Sequence, residues 1–320
     1  MGEPSLTSVD PFVSKGTAKN FILREYVASY ILMFKKSINK DKTKNMNNFN
    51  AYKMDGLGND FIIFDNRGKS ISLTKDQIIK ISDRNNIGCD QVIFIEKDEN
   101  NNPLIKFYNS DGGETSACGN GSRCIAYLLM KENNNDKITL KTKAGILKAE
   151  LNNKDLVTIT MGQPNFQWNK IPLLKEMNNK NLKLKIKTID GKEFFGGFSL
   201  NVGNPHVIFF VKDYNNFNLE KIGPEIENHS FFPEKCNVTL ASIKNSKHLK
   251  VKVWERGAGL TKACGTAACA AVVAGSILNL NEKHANVEFE QGLLEINWKN
   301  DNLIYMTGAV SKIKKIIINI

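Results

Sequence analysis

At 320 residues, with 41% hydrophobic and 24% charged side chains, the chain can bury an extensive core, and its length points to two domains. That balance excludes a disordered or fibrous protein, and no run of 18 apolar residues is present to span a membrane. The net charge of +11 comes mostly from lysines scattered among Asn and Ile, as in Lys131 to Lys143 and Lys170 to Lys187; it reads as solvated surface, with no nucleic-acid or membrane partner.

Residues 1–47 stand apart from the rest of the chain. A turn-prone start leads to one amphipathic helix predicted around Asn20 to Lys36, then to the polar run Lys40 to Asn48. Glu3, Asp10 and Glu25 do not suit a basic, acid-poor targeting peptide, and an upstream translation start is an equal reading, so this extension is set outside the fold. Strands are then predicted at Phe61 to Phe64, Gln91 to Glu96, Ile105 to Tyr108, Ile138 to Lys141 and Val157 to Met161. A helix, Asn120 to Met130, directly follows Ala117-Cys118-Gly119.

The pattern then recurs. Gly113 to Gly119 and Gly259 to Gly265 both read G-x-T-x-A-C-G, 146 positions apart. Gly58-Asn59 before Ile62-Ile63-Phe64 matches Gly203-Asn204 before Val207-Ile208-Phe209, Gln91-Val92 matches Asn237-Val238, and Gly145-Ile146-Leu147 matches Gly292-Leu293-Leu294, at offsets of 145 to 147. Segments 51–162 and 197–308 are therefore a tandem duplication. The second helix, Thr266 to Leu278, is apolar around its whole circumference, as a helix enclosed on all sides must be. The fold class expected is α/β (α+β): two similar domains related by a pseudo-twofold axis, each a curved mixed β-sheet wrapped around a central buried α-helix. The first domain covers 48–165, with room for the terminal strand 309–320, and the second covers 166–308.

Six cysteines, at positions 89, 118, 124, 236, 264 and 269, form no C-x-x-C pair, and the four histidines have no metal-ligand spacing. No metal is expected, and free thiols in a reducing cytoplasm are the expectation. Cys89, Cys124, Cys236 and Cys269 read as small buried hydrophobes. Cys118 and Cys264 each stand between a Gly-rich turn and the first turn of a helix, where unpaired N–H groups and the positive end of the helix dipole should lower a thiol's pKa and hold a carboxylate. Duplication should place these two sulfurs across one cleft. One can then act as base and the other as acid on opposite faces of a single carbon, which inverts it. A regulatory disulfide between them is the alternative reading.

The segments that carry these residues resemble the diaminopimelate epimerase family. They are Met54-Asp55-Gly56-Leu57-Gly58-Asn59-Asp60-Phe61, Phe107 to Gly112 with Ala117 to Cys124, Gly203-Asn204-Pro205-His206, and Glu255 to Gly259 with Ala263 to Ala270. Asp55 stands where the family usually has His. The resemblance implies a cofactor-independent isomerase that interconverts LL- and meso-diaminopimelate, with Cys118 and Cys264 as the two bases. It further implies that Gly119, Asn120, Gly265 and Thr266 bind the reacting carboxylate. Asn59, Gln91, Asn109, Asn204, Asn237, Glu255 and Arg256 would line the site and read the distal amino-acid end, an arrangement that suits a zwitterion needing both an Arg fork and a carboxylate. His206 would tune a thiol or its neighbour, and Tyr305 matches a position used in homodimer contact. A proline racemase-like enzyme and a non-catalytic thiol-redox or amino-acid-binding protein are the competing readings.

Overall fold

The elements follow from local chemistry. In the computed structural model, which describes residues 48–68 and 70–320, the first copy holds β1 (Asn48–Gly56), β2 (Asn59–Asp65), α1 (Lys75–Ser82), β3 (Gln91–Lys97), β4 (Pro103–Asn109), β5 (Glu114–Thr115), α2 (Gly119–Asn133), β6 (Lys137–Thr142), β7 (Gly145–Asn153) and β8 (Leu156–Thr160). A short hairpin, β9 (Leu184–Lys187) and β10 (Glu193–Gly196), precedes the second copy. That copy holds β11 (Phe198–Asn201), β12 (Pro205–Phe210), α3 (Leu219–Glu227), β13 (Asn237–Asn245), β14 (His248–Glu255), β15 (Gly259–Thr261), α4 (Gly265–Ile277), β16 (His284–Phe289), β17 (Gly292–Trp298) and β18 (Ile304–Ala309), and β19 (Lys314–Asn319) ends the chain. The helix expected at Asn20 to Lys36 lies outside the described residues.

Each copy uses the same pairings. β2 runs parallel to β3, β3 antiparallel to β4, and β4 carries both the short β5 and the parallel β6, which continues into the β6–β7–β8 meander. The second copy repeats this with β12 to β18. β2 and β3 are interior parallel strands, so Phe61 to Phe64 and Val92 to Ile95 are buried on both faces and read as unbroken apolar runs.

The sheet of each copy curls around one helix. In α4 the run Ala267 to Gly275 is buried throughout, because small side chains let strands approach from every side. Val272 and Val273 are fully enclosed, each stabilising the fold by about 1.5–3 kcal/mol. Helix α2 is enclosed in the same way and ends at Asn134, whose left-handed backbone (φ 49) suits an Asn cap.

β8 and β18 join the copies antiparallel, with Ile159 opposite Met306, Thr158 opposite Thr307 and Thr160 opposite Tyr305. Ile159 and Met306 are also equivalent in the repeat, so the pseudo-twofold axis passes between them. Thr158 and Thr307 share a 2.6 Å hydroxyl hydrogen bond beside it. One hydrophobic core therefore runs through both copies. Past β18 the chain returns to the first copy, where the Ser311 N–H donates to the Asp55 carbonyl and Ser311 Oγ accepts from the Asp55 N–H, both at 2.8 Å.

The repeat alone did not announce α1, α3 or the β9–β10 hairpin. α1 has a full capping box, Thr74 Oγ1 accepting from the Gln77 N–H and Gln77 Oε1 from the Thr74 N–H. The hairpin and α3 cover the outer face of β12 and β13, burying Leu184, Ile186, Ile222 and Ile226 in a second, smaller core.

Candidate active site

Cys118 and Cys264 occupy the N-cap positions of α2 and α4, with matching backbone angles (φ −143, ψ 115 and φ −136, ψ 112). Both helix starts rest on Met306. Its Cε lies 2.7 Å from where a Cβ would stand on Gly119, and its Sδ lies 2.8 Å from the same point on Gly265. A fully buried side chain on the pseudo-twofold axis thus forms a shared floor beneath both helix starts. The absence of side chains at Gly119 and Gly265 lets the backbone N–H groups come close to it.

On the first side, Cys118 Sγ accepts from the Gly121 N–H at 3.4 Å and lies 3.7 Å from Asn59 Oδ1, to which its S–H can donate. The Asn59 amide is oriented by Asp90, whose carboxylate accepts from Asn59 Nδ2 at 2.8 Å and is held in turn by Arg84. Gln91 donates to Asn109 Oδ1 at 2.8 Å across β3 and β4. Asn120 is buried with its Oδ1 unpartnered among the described residues, 3.9 Å from the Cβ point of Gly265.

On the second side, Cys264 Sγ is 3.4 Å from Thr266 Oγ1. Glu255 accepts from Thr261 Oγ1 at 2.6 Å. Asn237 bridges two elements, donating to the Pro205 carbonyl at 2.9 Å and accepting from the Arg256 N–H at 3.0 Å. The Arg256 guanidinium is exposed and donates to the Glu234 carbonyl at 2.9 Å. His206 is completely buried, and its Nε2 donates to Asn204 Oδ1 at 2.8 Å while Nδ1 has no partner among the described residues. Tyr305 stands apart from this cluster. Its hydroxyl donates to Asp301 at 2.9 Å, and Lys299 Nζ sits 4.0 Å over its ring.

The electrostatics correct one expectation. Helix starts should lower the two thiols, yet burial outweighs them. Cys118 is pushed up to about 11 by burial, against the pull of the Gly121 N–H and the positive charge of Arg123. Cys264 is raised well above the ordinary thiol value by burial and then by the Glu255 charge. Glu255 itself is raised by burial, with Thr261 opposing. His206 falls to about 3 because burial, and then Arg256, disfavour its cation, so it is neutral at working pH. Both thiols therefore rest protonated, one ready as acid and the other needing to lose its proton before it can act as base; Glu255 opposes a thiolate at either sulfur and Arg123 favours one at Cys118.

The sequence profile of the family described as Diaminopimelate epimerase matches residues 51–167 and 198–313, one segment for each copy. The chain belongs to the diaminopimelate epimerase family. The enzyme of that name from Pelagibacter ubique (strain HTCC1062) is 53% identical over 270 residues, covering 84% of this chain and 98% of the relative. The one from Caulobacter sp. (strain K31) is 43% identical, covering 81% and 93%. Among solved structures, a PhzF-family phenazine biosynthesis protein of Bacillus anthracis superposes with a TM-score of 0.61 at 17% identity, covering 86% of this chain and all of the other. A hydroxyproline epimerase from Agrobacterium vitis gives 0.59 at 13%, covering 85% and 93%. These two share the fold: paired mixed sheets, each around a buried helix.

Several residues of this diaminopimelate epimerase-family site were not singled out from the sequence. Thr261 is one, although the fixed Thr of G-x-T-x-A-C-G could have flagged it. Asp90, which orients Asn59, had no signal beyond adjacency to Gln91. Met306 is recognisable only once the register of β8 and β18 is known.

Proposed function

We propose that the protein catalyses the epimerisation of LL-2,6-diaminopimelate to meso-diaminopimelate through Cys118 and Cys264, working from opposite faces of the α-carbon. The observation that carries this reading is the pair of cysteine-capped helix starts, equivalent in the repeat and resting on one side chain. A substrate carboxylate seated over Met306 would accept from N–H groups of both helix starts, with Asn120 and Thr266 beside it. This concentrates fixed dipoles where charge grows as the α-proton leaves, and it acts without a reorganisation cost. One cysteine, having first released its own proton to solvent, takes the α-proton as a thiolate, and the other gives its thiol proton from the far face, leaving a thiolate that is poised for the reverse direction.

Around this centre, Glu255 handles the proton of Cys264, and the neutral His206 holds Asn204 in place. Arg256 reads the distal carboxylate, while Asn59, Gln91, Asn109, Asn204 and Asn237 complete the polar lining. The two domains divide near residue 165. A homodimer with Tyr305 in its contact, acting in the cytoplasm in lysine and peptidoglycan precursor synthesis, completes the reading.

The test is α-proton exchange in heavy water, with reductant present, on LL-diaminopimelate and on proline. Exchange confined to diaminopimelate, and abolished by Cys118→Ala and by Cys264→Ala, is expected. Exchange on proline would transfer the protein to the proline racemase-like reading. Near-normal turnover by either variant would defeat the two-thiol assignment.

A further inference from the structure

Arg123 is the largest fully buried side chain among the described residues. It projects from α2, whose buried residues are otherwise apolar or small apart from Asn120, and no carboxylate of the described residues contacts it. Nη1 reaches only the weak acceptor Met306 Sδ, at 3.7 Å, while Nε and Nη2 have no hydrogen-bond partner there. Enclosing a cation this way is costly, and an apolar side chain of similar volume would serve the fold better.

The repeat shows that wrapping a sheet around such a helix does not require a guanidinium. The position equivalent to Arg123 in α4 is the small Cys269. The space is made deliberately on one side only: a Cβ on Gly308 would lie 3.0 Å from Arg123 Nε and Cζ, while the position equivalent to Gly308 in the first copy is the large Met161. Arg123 of the first copy meets Gly308 of the second, whereas their repeat counterparts are Cys269 of the second copy and Met161 of the first. The asymmetry is built where the two helix starts meet, under the side chain that both rest upon.

We propose that Arg123 is a positioning residue, a fixed positive charge sealed beneath the floor of the cleft that acts through Met306 and the helix starts to hold negative charge on Cys118 and on a substrate carboxylate seated there. The proposal rests on the two-thiol reading of the site. In a buried setting a single charge acts over several ångströms with little screening. Burial pulls the guanidinium's pKa below its ordinary value, opposed by its titratable neighbours, the thiols of Cys124, Cys118 and Cys269 and then the Asp55 carboxylate; Glu255 is the other charge acting on Cys118. All three thiols are raised by burial, and of them only Cys118, the cap of α2 in the proposed thiol pair, is asked to become a thiolate, so it is the one on which the guanidinium acts during turnover.

Arg123→Met and Arg123→Lys separate a functional charge from a structural one. The rate of iodoacetamide modification of Cys118, followed by mass spectrometry of its peptide as pH rises, reports the thiol without substrate. Arg123→Met is expected to melt no lower than the wild type, to move the Cys118 midpoint up by about one pH unit, and to lower kcat at least roughly tenfold, with KM changed less than about threefold. Arg123→Lys, which keeps the charge, is expected to restore the midpoint. An unmoved midpoint in folded Arg123→Met overturns the proposal. So does loss of the fold, which would make the guanidinium a structural element. Because the midpoint is read without turnover, its failure is distinct from the failure of the two-thiol reading, which Cys118→Ala decides.

Discussion

The hydroxyl of Thr261 does more than fill a short strand. By donating to Glu255 at 2.6 Å it opposes the burial that raises this carboxyl. Thr261→Val removes that donor, so the Glu255 pKa rises further and its charged form is lost at a higher pH. The acid limb of the kcat/KM profile should therefore move to higher pH, with kcat down about tenfold at neutrality; an unmoved acid limb would separate Glu255 from the proton path. At this scale the sequence was most informative where the repeat doubled a residue. Cys118 and Cys264, Asn59 and Asn204, and Gln91 and Asn237 were recognisable because each has a counterpart, and each pair takes equivalent places in the two copies. Asp90 and Arg123 have no counterpart of like chemistry, so nothing in the pattern distinguished them from an ordinary surface acid or a stray charge. The thiol pKa values were misjudged for a related reason: the helix dipole can be read from sequence, whereas the depth of burial opposing it depends on strands distant in the chain.

Helices α2 and α4 meet at their starts and are supported there by one residue of β18. Met306→Ala would leave a cavity beneath both, costing about 2–4 kcal/mol on the scale of buried Met truncations. Because both helix starts lose their support, epimerisation should slow along with the loss of stability; chemical denaturation and steady-state kinetics would show it. Wild-type stability and turnover in Met306→Ala would mean that Met306 does not support the helix starts. Strands were legible at this scale wherever an apolar run was bounded by turns, as in β2, β3, β12 and β13, and both buried helices lay within three residues of expectation. The hairpin was not legible, since it falls in the stretch that the duplication skips, and α3, which lies in the second copy where α1 lies in the first, shares no fixed motif with it. Their apolar residues, such as Leu184 and Ile222, make sense only against the outer face of β12 and β13.

For the whole molecule, buried titratable groups set the range of pH over which folding is strongest. His206 has its folded pKa pushed from 6.5 down to about 3, so the unfolded chain binds the extra proton and stability is lost as pH falls through that interval. Cys118 has its pKa raised from 9.0 to about 11, so its contribution is complete below pH 9 and lost as pH rises toward the folded value. A plateau of unfolding free energy between roughly pH 6.5 and 9, declining at up to about 1.4 kcal/mol per unit and per group beyond either end, is the expectation for urea titrations. His206→Gln should extend the plateau on its acid side. Removing residues 1–47, which precede the family match beginning at residue 51, should leave turnover within about twofold; a collapse of activity would place that segment inside the working enzyme. The seam between β8 and β18 has one more consequence. Its register is centred on two equivalent residues, Ile159 and Met306, so two identical copies could meet along the same edge with the same pairing. The present chain is in effect a homodimer closed by a covalent link. Once the halves were joined, each was free to change alone, and a guanidinium could enter one side of the axis without its twin colliding on the other.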